Sequence, residues 1–262
     1  MRYVHDEQSY LCYQFPEGVR AFSTCRHGGV SEGDYTSFNC THYCGDNVEH
    51  VMANRRKLCN DWHISTERLV IPRQVHGTEV AVIDDRFLSL PLSEQTEILD
   101  GVDALISPLT DVCLAVSTAD CIPVLIYDRR NHIIAAIHAG WRGTVARIVS
   151  HTIRQMKRLY GVEGCEMFAA IGPGISLDAF EVGDEVYDAF CDASFPMEKI
   201  ATHTEKWHID LWEANRLQLI AEGMRAEHIE LPGICTYEHY QQFFSARRLG
   251  IQSGRILTGI IQ

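Results

Sequence analysis

A cysteine and a histidine in the central segment of the chain are of types that could do chemistry together. The segment 117–143 reads STADCIPVLIYDRRNHIIAAIHAGWRG, with Cys121 before one apolar run and His138 at the end of the next. A thiol and an imidazole can act as a nucleophile with its base, or as two ligands of a zinc ion. The alternative is that Cys121 is a buried apolar side chain, the common environment of a free cysteine.

The two apolar runs predict a β-hairpin that would hold both side chains at one end of a sheet. Residues 124–127 and 133–137 are short, apolar and partly β-branched, and a polar segment separates them. A glycine-flanked turn and then an amphipathic helix over 144–160 follow His138. Because free N–H groups at a helix start favour an anion, Arg142 and the glycines beside it are candidates for holding one.

A second histidine, His76, stands at the end of a predicted strand over 69–75. With His76, the chain offers two imidazoles and one thiolate, the three-ligand set of a catalytic zinc site. The long separations from His76 to Cys121 and from Cys121 to His138 do not match a zinc knuckle. They fit a site assembled from separate strands.

The remaining pattern predicts one α+β domain. Short strands outnumber helices and alternate with them irregularly, and no internal repeat or linker interrupts them. Asp46 is expected to cap a helix that runs to about Asp61, and the segment 87–99, which contains Pro91, is expected to be a loop. The glycine-rich turns match neither G-x-G-x-x-G nor G-x-x-x-x-G-K-[ST], so no nucleotide-binding fold is predicted.

Composition argues against two classes of partner. The 262 residues carry a net charge of −12 and no block of lysine or arginine, so we expect neither nucleic acid nor an anionic membrane as a partner. No apolar run reaches the roughly 18 residues that span a bilayer, and charged residues rather than an apolar leader follow Met1. Ten scattered cysteines suit a reducing compartment, so we expect a cytoplasmic protein with free thiols, and a monomer.

Longer blocks of sequence carry a family resemblance. They are RQVHGTEV at 73–80, DALIS at 103–107, STADCIPVLIYD at 117–128, HAGWRGT at 138–144, IGPGIS at 171–176, and the later FEVGDEV, DLWEANRLQL and FFSARR segments. An earlier RHGGVS…SFN segment followed by GDN…NRR matches too. In this order, from about residue 20 to the C-terminus, the blocks resemble the YfiH/laccase-domain family.

The resemblance implies a metal site made by His76, Cys121 and His138, with zinc as the usual ion and copper as an alternative. It implies phosphorolysis of adenosine, inosine, guanosine and methylthioadenosine, with adenosine deamination as a second activity. Purine nucleosides and phosphate are therefore the implied partners. The implied fold is a single domain over 1–262, with mixed β-sheets covered by helices in αββα layers, similar to a bacterial toxin cysteine deamidase.

Several further residues lie in the matching blocks. Asn39, Arg55 and Gln74, together with Arg142, are candidates for binding ribose, phosphate or base, although a solvated arginine is the alternative at both arginine positions. Asp120, next to Cys121, could orient a metal ligand. The sequence assigns no role to three residues in the matching blocks: Cys235, Arg247 and Arg248.

Two other activities remain open from the sequence. A cysteine hydrolase, acting for example on a peptidoglycan precursor, would use Cys121 as nucleophile and His138 as base. A copper-dependent polyphenol oxidase would use the same three side chains as copper ligands. Multicopper oxidation needs more histidine ligands than these, and no H-x-H pair occurs in the chain, so the nucleoside enzyme is favoured over the oxidase.

Overall fold

Two β-sheets packed face to face form the centre of the fold in the computed structural model, which describes residues 9–262. The strands are β1 Tyr10–Cys12, β2 Arg20–Thr24, β3 Leu69–Val70, β4 Val80–Val82, β5 Ala104–Ser107, β6 Cys113–Thr118, β7 Ile122–Asp128, β8 Ile133–Ala139, β9 Met167–Ile171, β10 Glu181–Val182, β11 Ala201–His203, β12 Trp207–Ile209, β13 Ile229–Glu230 and β14 Ile256–Ile261. One sheet has the order β1-β2-β14-β6-β3 and the other β13-β9-β7-β8-β5-β4, while β10-β12-β11 form a small third sheet.

Helices cover the outer faces of the two large sheets. They are α1 Val48–Trp62, α2 Asp85–Ser89, α3 Leu92–Ile98, α4 Trp141–Val145, α5 Ile148–Tyr160, α6 Asp184–Asp192, α7 Met197–Ile200, α8 Leu211–Ala221 and α9 Ala246–Leu249. One apolar core lies between the two sheets, a second between the six-stranded sheet and α5 and α8, and a third beneath α1. The α+β class and the αββα layering predicted from the sequence are confirmed.

Strand β7 shows how these layers arise from an uninterrupted apolar sequence. Val124 and Ile126 pack into the core on the helix side, whereas Leu125 and Tyr127 pack into the core between the sheets. Successive side chains of a strand point to opposite faces, so a strand buried on both faces must be apolar throughout. Full burial of each such aliphatic side chain contributes about 1.5–3 kcal/mol.

The predicted hairpin is formed by β7 and β8, and it carries two candidate ligands at its open end. Pro123 pairs with His138 in the antiparallel register, so Cys121 lies at the same edge as the end of β8. The strand predicted over 69–75 is much shorter, because β3 ends at Val70. Pro72 follows, and a proline has no N–H group to continue the ladder.

Two local predictions about helices are wrong. The segment 87–99 is not a loop, because it holds the end of α2 and all of α3. The Asp84 side chain caps α2 by accepting a hydrogen bond from the Phe87 N–H, and Pro91 occupies the N-cap of α3. The predicted helix over 144–160 is two helices, since Arg147 adopts a left-handed φ of 61° between α4 and α5.

The helix expected to start from Asp46 begins at Val48. Its N-cap is Asn47, whose side chain accepts a hydrogen bond from the Glu49 N–H. Val51 and Leu58 are buried on this helix. Helix α1 covers the outer face of the five-stranded sheet. The loop that precedes α1 contacts the end of β6 through a hydrogen bond between Thr41 and Ser117.

No helix within residues 9–262 is both long and apolar enough to cross a membrane. None of the ten cysteines, all of which lie within residues 9–262, forms a disulfide. Most of them are buried or half-buried, and Cys191 is exposed.

Candidate metal centre

Three side chains from separate segments converge where the two sheets meet. His76 lies in the irregular segment after β3, Cys121 in the turn between β6 and β7, and His138 within β8. One ligand atom from each lies within 4.8 Å of the other two. The structure therefore brings together the three residues that the sequence singles out, from three different parts of the chain.

The spacing fits a single metal ion. A tetrahedral zinc site, with Zn–N of about 2.05 Å and Zn–S of about 2.3 Å, separates nitrogen and sulfur ligands by roughly 3.6 Å. The distance from His76 Nε2 to Cys121 Sγ is 3.7 Å, and the rings of His76 and His138 cross at 79° with centroids 4.8 Å apart. The same donor set also occurs in mononuclear copper sites.

A buried carboxylate, for which the sequence predicts no role, binds the side chain of His138 and the backbone of His76. Asp103 is fully buried, and its Oδ1 lies 2.7 Å from His138 Nδ1. Its two oxygens also accept the backbone N–H groups of Val75, His76 and Gly77 at 3.2, 3.0 and 2.7 Å. A hydrogen bond from Nδ1–H of His138 to the carboxylate leaves Nε2 of that ring to bind a metal.

The hydrogen bonds to Asp103 also hold an unusual backbone conformation. His76 has a left-handed φ of 65°, which residues other than glycine rarely adopt and which costs about 1 kcal/mol or more. The sequence signal for Asp103 is a lone carboxylate immediately before the buried strand β5. That signal alone does not show what the carboxylate binds, because its partners come from 75–77 and from β8.

The neighbouring side chains of Asp103, Cys121 and His138 shift one another's pKa values. Burial opposes ionisation of Asp103, but hydrogen bonds from His138 and from backbone N–H groups hold the pKa of this carboxyl below its usual range. Burial alone would raise the pKa of the Cys121 thiol, yet the charge and hydrogen bonds of His138, and then of His76, lower it to about 6. Burial alone would lower the pKa of His138, but the Cys121 thiolate and Asp103 raise it to about 9.

These shifts predict the pH dependence of alkylation in the metal-free protein. Because the pKa of Cys121 is depressed, its thiolate forms as the pH rises through about 6, so the iodoacetamide rate should rise there and level off above pH 7. An unperturbed thiol would respond near pH 8.5. Mass spectrometry of each cysteine peptide measures the rates, and Cys25 and Cys40, whose pKa values burial raises to about 12, are internal controls. A Cys121 midpoint near pH 8.5 would contradict the geometry.

Gly140 forms the floor of the site, directly after β8. A Cβ atom at this position would lie 2.7 Å from His76 Cδ2 and 3.1 Å from Cys121 Sγ. Real Cβ atoms essentially never come as close as the first of these distances, so a residue larger than glycine would displace the His76 ring. This accounts for the glycine that follows His138 and Ala139 in the central segment.

Replacing Gly140 by alanine should therefore weaken metal binding while leaving the fold intact. The added methyl group pushes the His76 ring away from Cys121, and we expect roughly a tenfold loss of zinc affinity. Competition with a chromophoric chelator measures the affinity, and thermal unfolding of the metal-free variant checks the fold. Wild-type zinc affinity in this variant would mean that His76 does not bind the metal.

Gln74, one of the predicted substrate-binding residues, fastens the segment before His76 to the end of β6. Its Nε2 donates to the Ser117 carbonyl at 2.8 Å, and its Oε1 accepts from the Ser117 N–H at 2.7 Å. Tyr43 donates to the same oxygen at 3.3 Å. The Gln74 carboxamide thus pairs with the backbone of Ser117 as a neighbouring strand would, two residues before His76. The role of Gln74 in substrate binding stays a prediction.

Asn39 lies in the loop that packs on the end of β6, and Arg55 lies on α1 next to that loop. Asn39 is fully buried, and its Nδ2 donates to Asp46 at 2.9 Å while its Oδ1 accepts the N–H groups of Thr41 and Arg255. The half-buried Arg55 donates through Nε to the Cys40 carbonyl at 2.8 Å. Both side chains are engaged with this loop and not with the three ligands, so their predicted substrate contacts remain untested.

The other residues named from the sequence take separate places. Arg142 is exposed, with its guanidinium 4.3 Å from the ring centre of Trp141. Cys235 is buried and accepts a hydrogen bond from the Ser176 N–H at 3.4 Å. Arg248 stacks on Tyr237 and Tyr240. Asp120 does not bond to a candidate ligand; its carboxylate binds Thr236 and Arg247.

Comparisons with known proteins show the family to which the chain is similar. The family model described as multi-copper polyphenol oxidoreductase laccase matches residues 20–262. A purine nucleoside phosphorylase of Bacteroides thetaiotaomicron is 53% identical over 246 residues, covering 93% of this chain and 91% of that protein. Adenosine deaminase RL5, from an unknown prokaryotic organism, is 44% identical over 247 residues, covering 93% and 94%. The crystal structure of YlmD from Geobacillus stearothermophilus aligns with a TM-score of 0.92 at 31% identity, covering 98% and 97%.

Proposed function

The chain belongs to the multi-copper polyphenol oxidoreductase laccase family, and from that membership we propose that it is a zinc-dependent purine nucleoside phosphorylase. The similarity to a named purine nucleoside phosphorylase and a named adenosine deaminase supports an enzyme that processes purine nucleosides. The observation that carries the proposal is the group formed by His76, Cys121 and His138, whose spacing fits one metal ion. Adenosine, inosine, guanosine and methylthioadenosine are the proposed substrates.

Phosphorolysis exchanges one bond at the ribose for another. A phosphate oxygen attacks C1′ as the bond from C1′ to the purine nitrogen breaks, and the electron pair of that bond leaves with the base, which takes up a proton. The products are the free base and ribose 1-phosphate. A bound zinc ion would supply a positive charge that orients and stabilises negatively charged oxygens of the reactants.

The chain's own residues prepare the site for that charge. Asp103 fixes the orientation of His138 and the backbone before and after His76, so the ligands need not reorganise when the metal binds. Arg142 stays our candidate for direct substrate contact, because its guanidinium is exposed two residues after Gly140. The amide nitrogen and oxygen of Asn39 and of Gln74 already form hydrogen bonds within the protein. We therefore propose that these two residues, with Arg55, form one side of the ribose-binding site.

We also propose adenosine deamination as a second activity of this centre. It replaces the C6 amino group of the purine by an oxygen from water and releases ammonia. Zinc deaminases of nucleobases use a metal ion for this hydrolysis. The similarity to an adenosine deaminase over nearly the whole chain supports the assignment.

A cysteine hydrolase remains the second candidate, because one observation favours it. Asp103, His138 and Cys121 follow one another as the carboxylate, imidazole and thiol of a catalytic triad do, with 2.7 Å between Asp103 Oδ1 and His138 Nδ1. The lowered pKa of the Cys121 thiol suits a nucleophile as well as a metal ligand. The two candidates differ in whether a metal is needed.

The copper oxidase is less well supported. Among residues 9–262, the three ligands are the one group of three or more histidine, cysteine or acidic side chains placed to share a metal ion. Oxidation through several copper ions needs further ligands. We also propose that the protein acts in the cytoplasm as a monomer, and the lack of disulfides within residues 9–262 suits a reducing compartment.

Release of hypoxanthine from inosine tests the proposed function. We expect the zinc-loaded protein to release hypoxanthine only when phosphate is present, with ribose 1-phosphate formed in equal amount. Chromatography of the base and ³¹P NMR of the sugar phosphate measure the two products. Hypoxanthine release that does not depend on phosphate would identify a hydrolase, and no release from any of the four nucleosides would refute the proposal.

A further inference from the structure

Asp120, the residue before Cys121, ties the turn that carries this ligand to a distant part of the chain. Its Oδ1 accepts a hydrogen bond from Thr236 Oγ1 at 2.7 Å, and its Oδ2 accepts the Arg247 N–H at 2.7 Å. Asp120 has a left-handed φ of 84°, which aspartate tolerates better than most residues. The start of α9 is thereby held beside the turn of Cys121.

The side chain of Arg247 extends from this anchor to a second segment that also contacts the turn. Its Nη1 and Nη2 both lie 3.3 Å from the Glu181 carbonyl oxygen, and its guanidinium carbon lies 5.6 Å from the ring centre of Phe180. The segment leading to Phe180 is fixed in turn, because the Ile175 N–H donates to the Asp120 carbonyl at 2.9 Å. Arg247 therefore joins two segments that both bind Asp120, the residue before Cys121.

The positive charge of Arg247 is not neutralised by a neighbouring side chain. The Glu181 carboxylate forms its ion pair with Lys206 at 2.6 Å, and Arg247 uses only the Glu181 backbone carbonyl. The Asp120 carboxylate is occupied by a hydroxyl and a backbone N–H group. In the part of the chain that the structure describes, Arg247 forms no ion pair within 4 Å.

We propose that Arg247, positioned by Asp120, binds the phosphate co-substrate at the rim of the metal centre. This inference rests on the proposed function and names the group that would hold its anionic reactant. A guanidinium has five N–H donors, and the bonds to the Glu181 carbonyl use one from each Nη. The edge that contains Nε keeps two parallel N–H donors that match two oxygens of a phosphate, and its orientation is fixed before the anion arrives. Asp120 acts through Arg247 and is a positioning residue.

The test compares Arg247→Gln, Arg247→Lys and Asp120→Asn with the zinc-loaded wild-type protein. We expect Arg247→Gln to raise the KM for phosphate about tenfold or more, with kcat within about twofold and with wild-type zinc content. Arg247→Lys keeps the positive charge but loses the paired N–H donors of the guanidinium, so its KM for phosphate should lie between those of the wild type and Arg247→Gln. Asp120→Asn should raise the same KM less. Arg158→Gln, a change of an exposed arginine near the far end of α5, should leave it unaltered.

Calorimetric titration with inorganic phosphate separates this inference from the proposed function. Weaker phosphate binding in Arg247→Gln supports the phosphate site even if the wild-type protein releases no base, an outcome that would refute only the phosphorylase. A wild-type protein that releases base, paired with an Arg247→Gln variant whose KM and Kd for phosphate are unchanged, would overturn the phosphate site and leave the phosphorylase standing. An Arg247→Gln variant that loses zinc would also overturn it, because its effect would then be structural.

Discussion

Replacing Cys121 by alanine should remove the metal and lower the rate of inosine phosphorolysis by roughly 10³-fold. Cys121 supplies the one thiolate among the three ligands, and its Sγ lies 3.7 Å from His76 Nε2. Two imidazoles alone bind zinc much more weakly than a set that includes a thiolate. A metal ion contributes several kcal/mol to the stabilisation of developing charge, and each 1.36 kcal/mol corresponds to a factor of ten in rate.

Zinc per chain and initial rate should fall together in this variant. Cys191→Ala is the matched control, because Cys191 is an exposed thiol on α6, so it should keep both zinc and rate. A Cys121→Ala protein that retains zinc and activity would show that the ligand set is wrong. A variant that loses activity while wild-type activity proves independent of metal would instead indicate that Cys121 acts as a nucleophile and not as a metal ligand.

Changing Asp103 to asparagine should lower zinc affinity by about 10–100-fold and the rate of phosphorolysis by a similar factor. Asp103 accepts the Nδ1–H of His138 and three consecutive backbone N–H groups around His76. An asparagine has the same shape, but it loses the negative charge and points an N–H₂ group at one of these donors. Removal of a carboxylate that orients a ligating histidine typically has an effect of this size.

Stability should fall as well, because a buried N–H group left without an acceptor costs about 1–3 kcal/mol. Asp128→Asn is the matched control: Asp128 is equally buried, but it lies at the opposite end of β7. Denaturant unfolding of the metal-free proteins separates stability from zinc affinity, which chelator competition measures. If Asp103→Asn and Asp128→Asn had equal zinc affinity, Asp103 would have no part in holding the ligands.

The three candidate ligands could be singled out from the sequence because each stands at one end of an apolar run. The hairpin pattern places Cys121 and His138 at one edge, and the resemblance adds His76 from a segment far away in the chain. The αββα layering could be expected from the same resemblance. These features depend on long uninterrupted patterns, which tertiary packing does not override.

The features that the sequence does not predict depend on single contacts between distant segments. Asp103 stands at the start of a buried strand, and only the fold shows that its carboxylate faces 75–77 and His138. Gly140 is one of several glycines in predicted turns, and only the structure shows that a Cβ atom there would clash with the His76 ring. The sequence assigns no role to Arg247, and only the fold shows that its backbone N–H binds Asp120, the residue before Cys121.

Local helix errors have a similar origin. The break at Arg147 is a single left-handed residue inside a sequence whose apolar periodicity continues across it, so periodicity alone predicts one helix. The short helices α2 and α3 hold few buried side chains, which leaves almost no periodic signal in 87–99. Their starts depend on the caps at Asp84 and Pro91.

The measurement that tests the central claim most directly is the dependence of phosphorolysis on bound zinc. The protein is stripped with a chelator, zinc is returned in known fractions of one equivalent, and the rate of hypoxanthine release from inosine with phosphate is measured at each fraction. We predict an inactive metal-free protein whose rate rises linearly and levels off at one zinc per chain. Full activity in the metal-free protein, or a rate that does not follow zinc occupancy, would contradict the account.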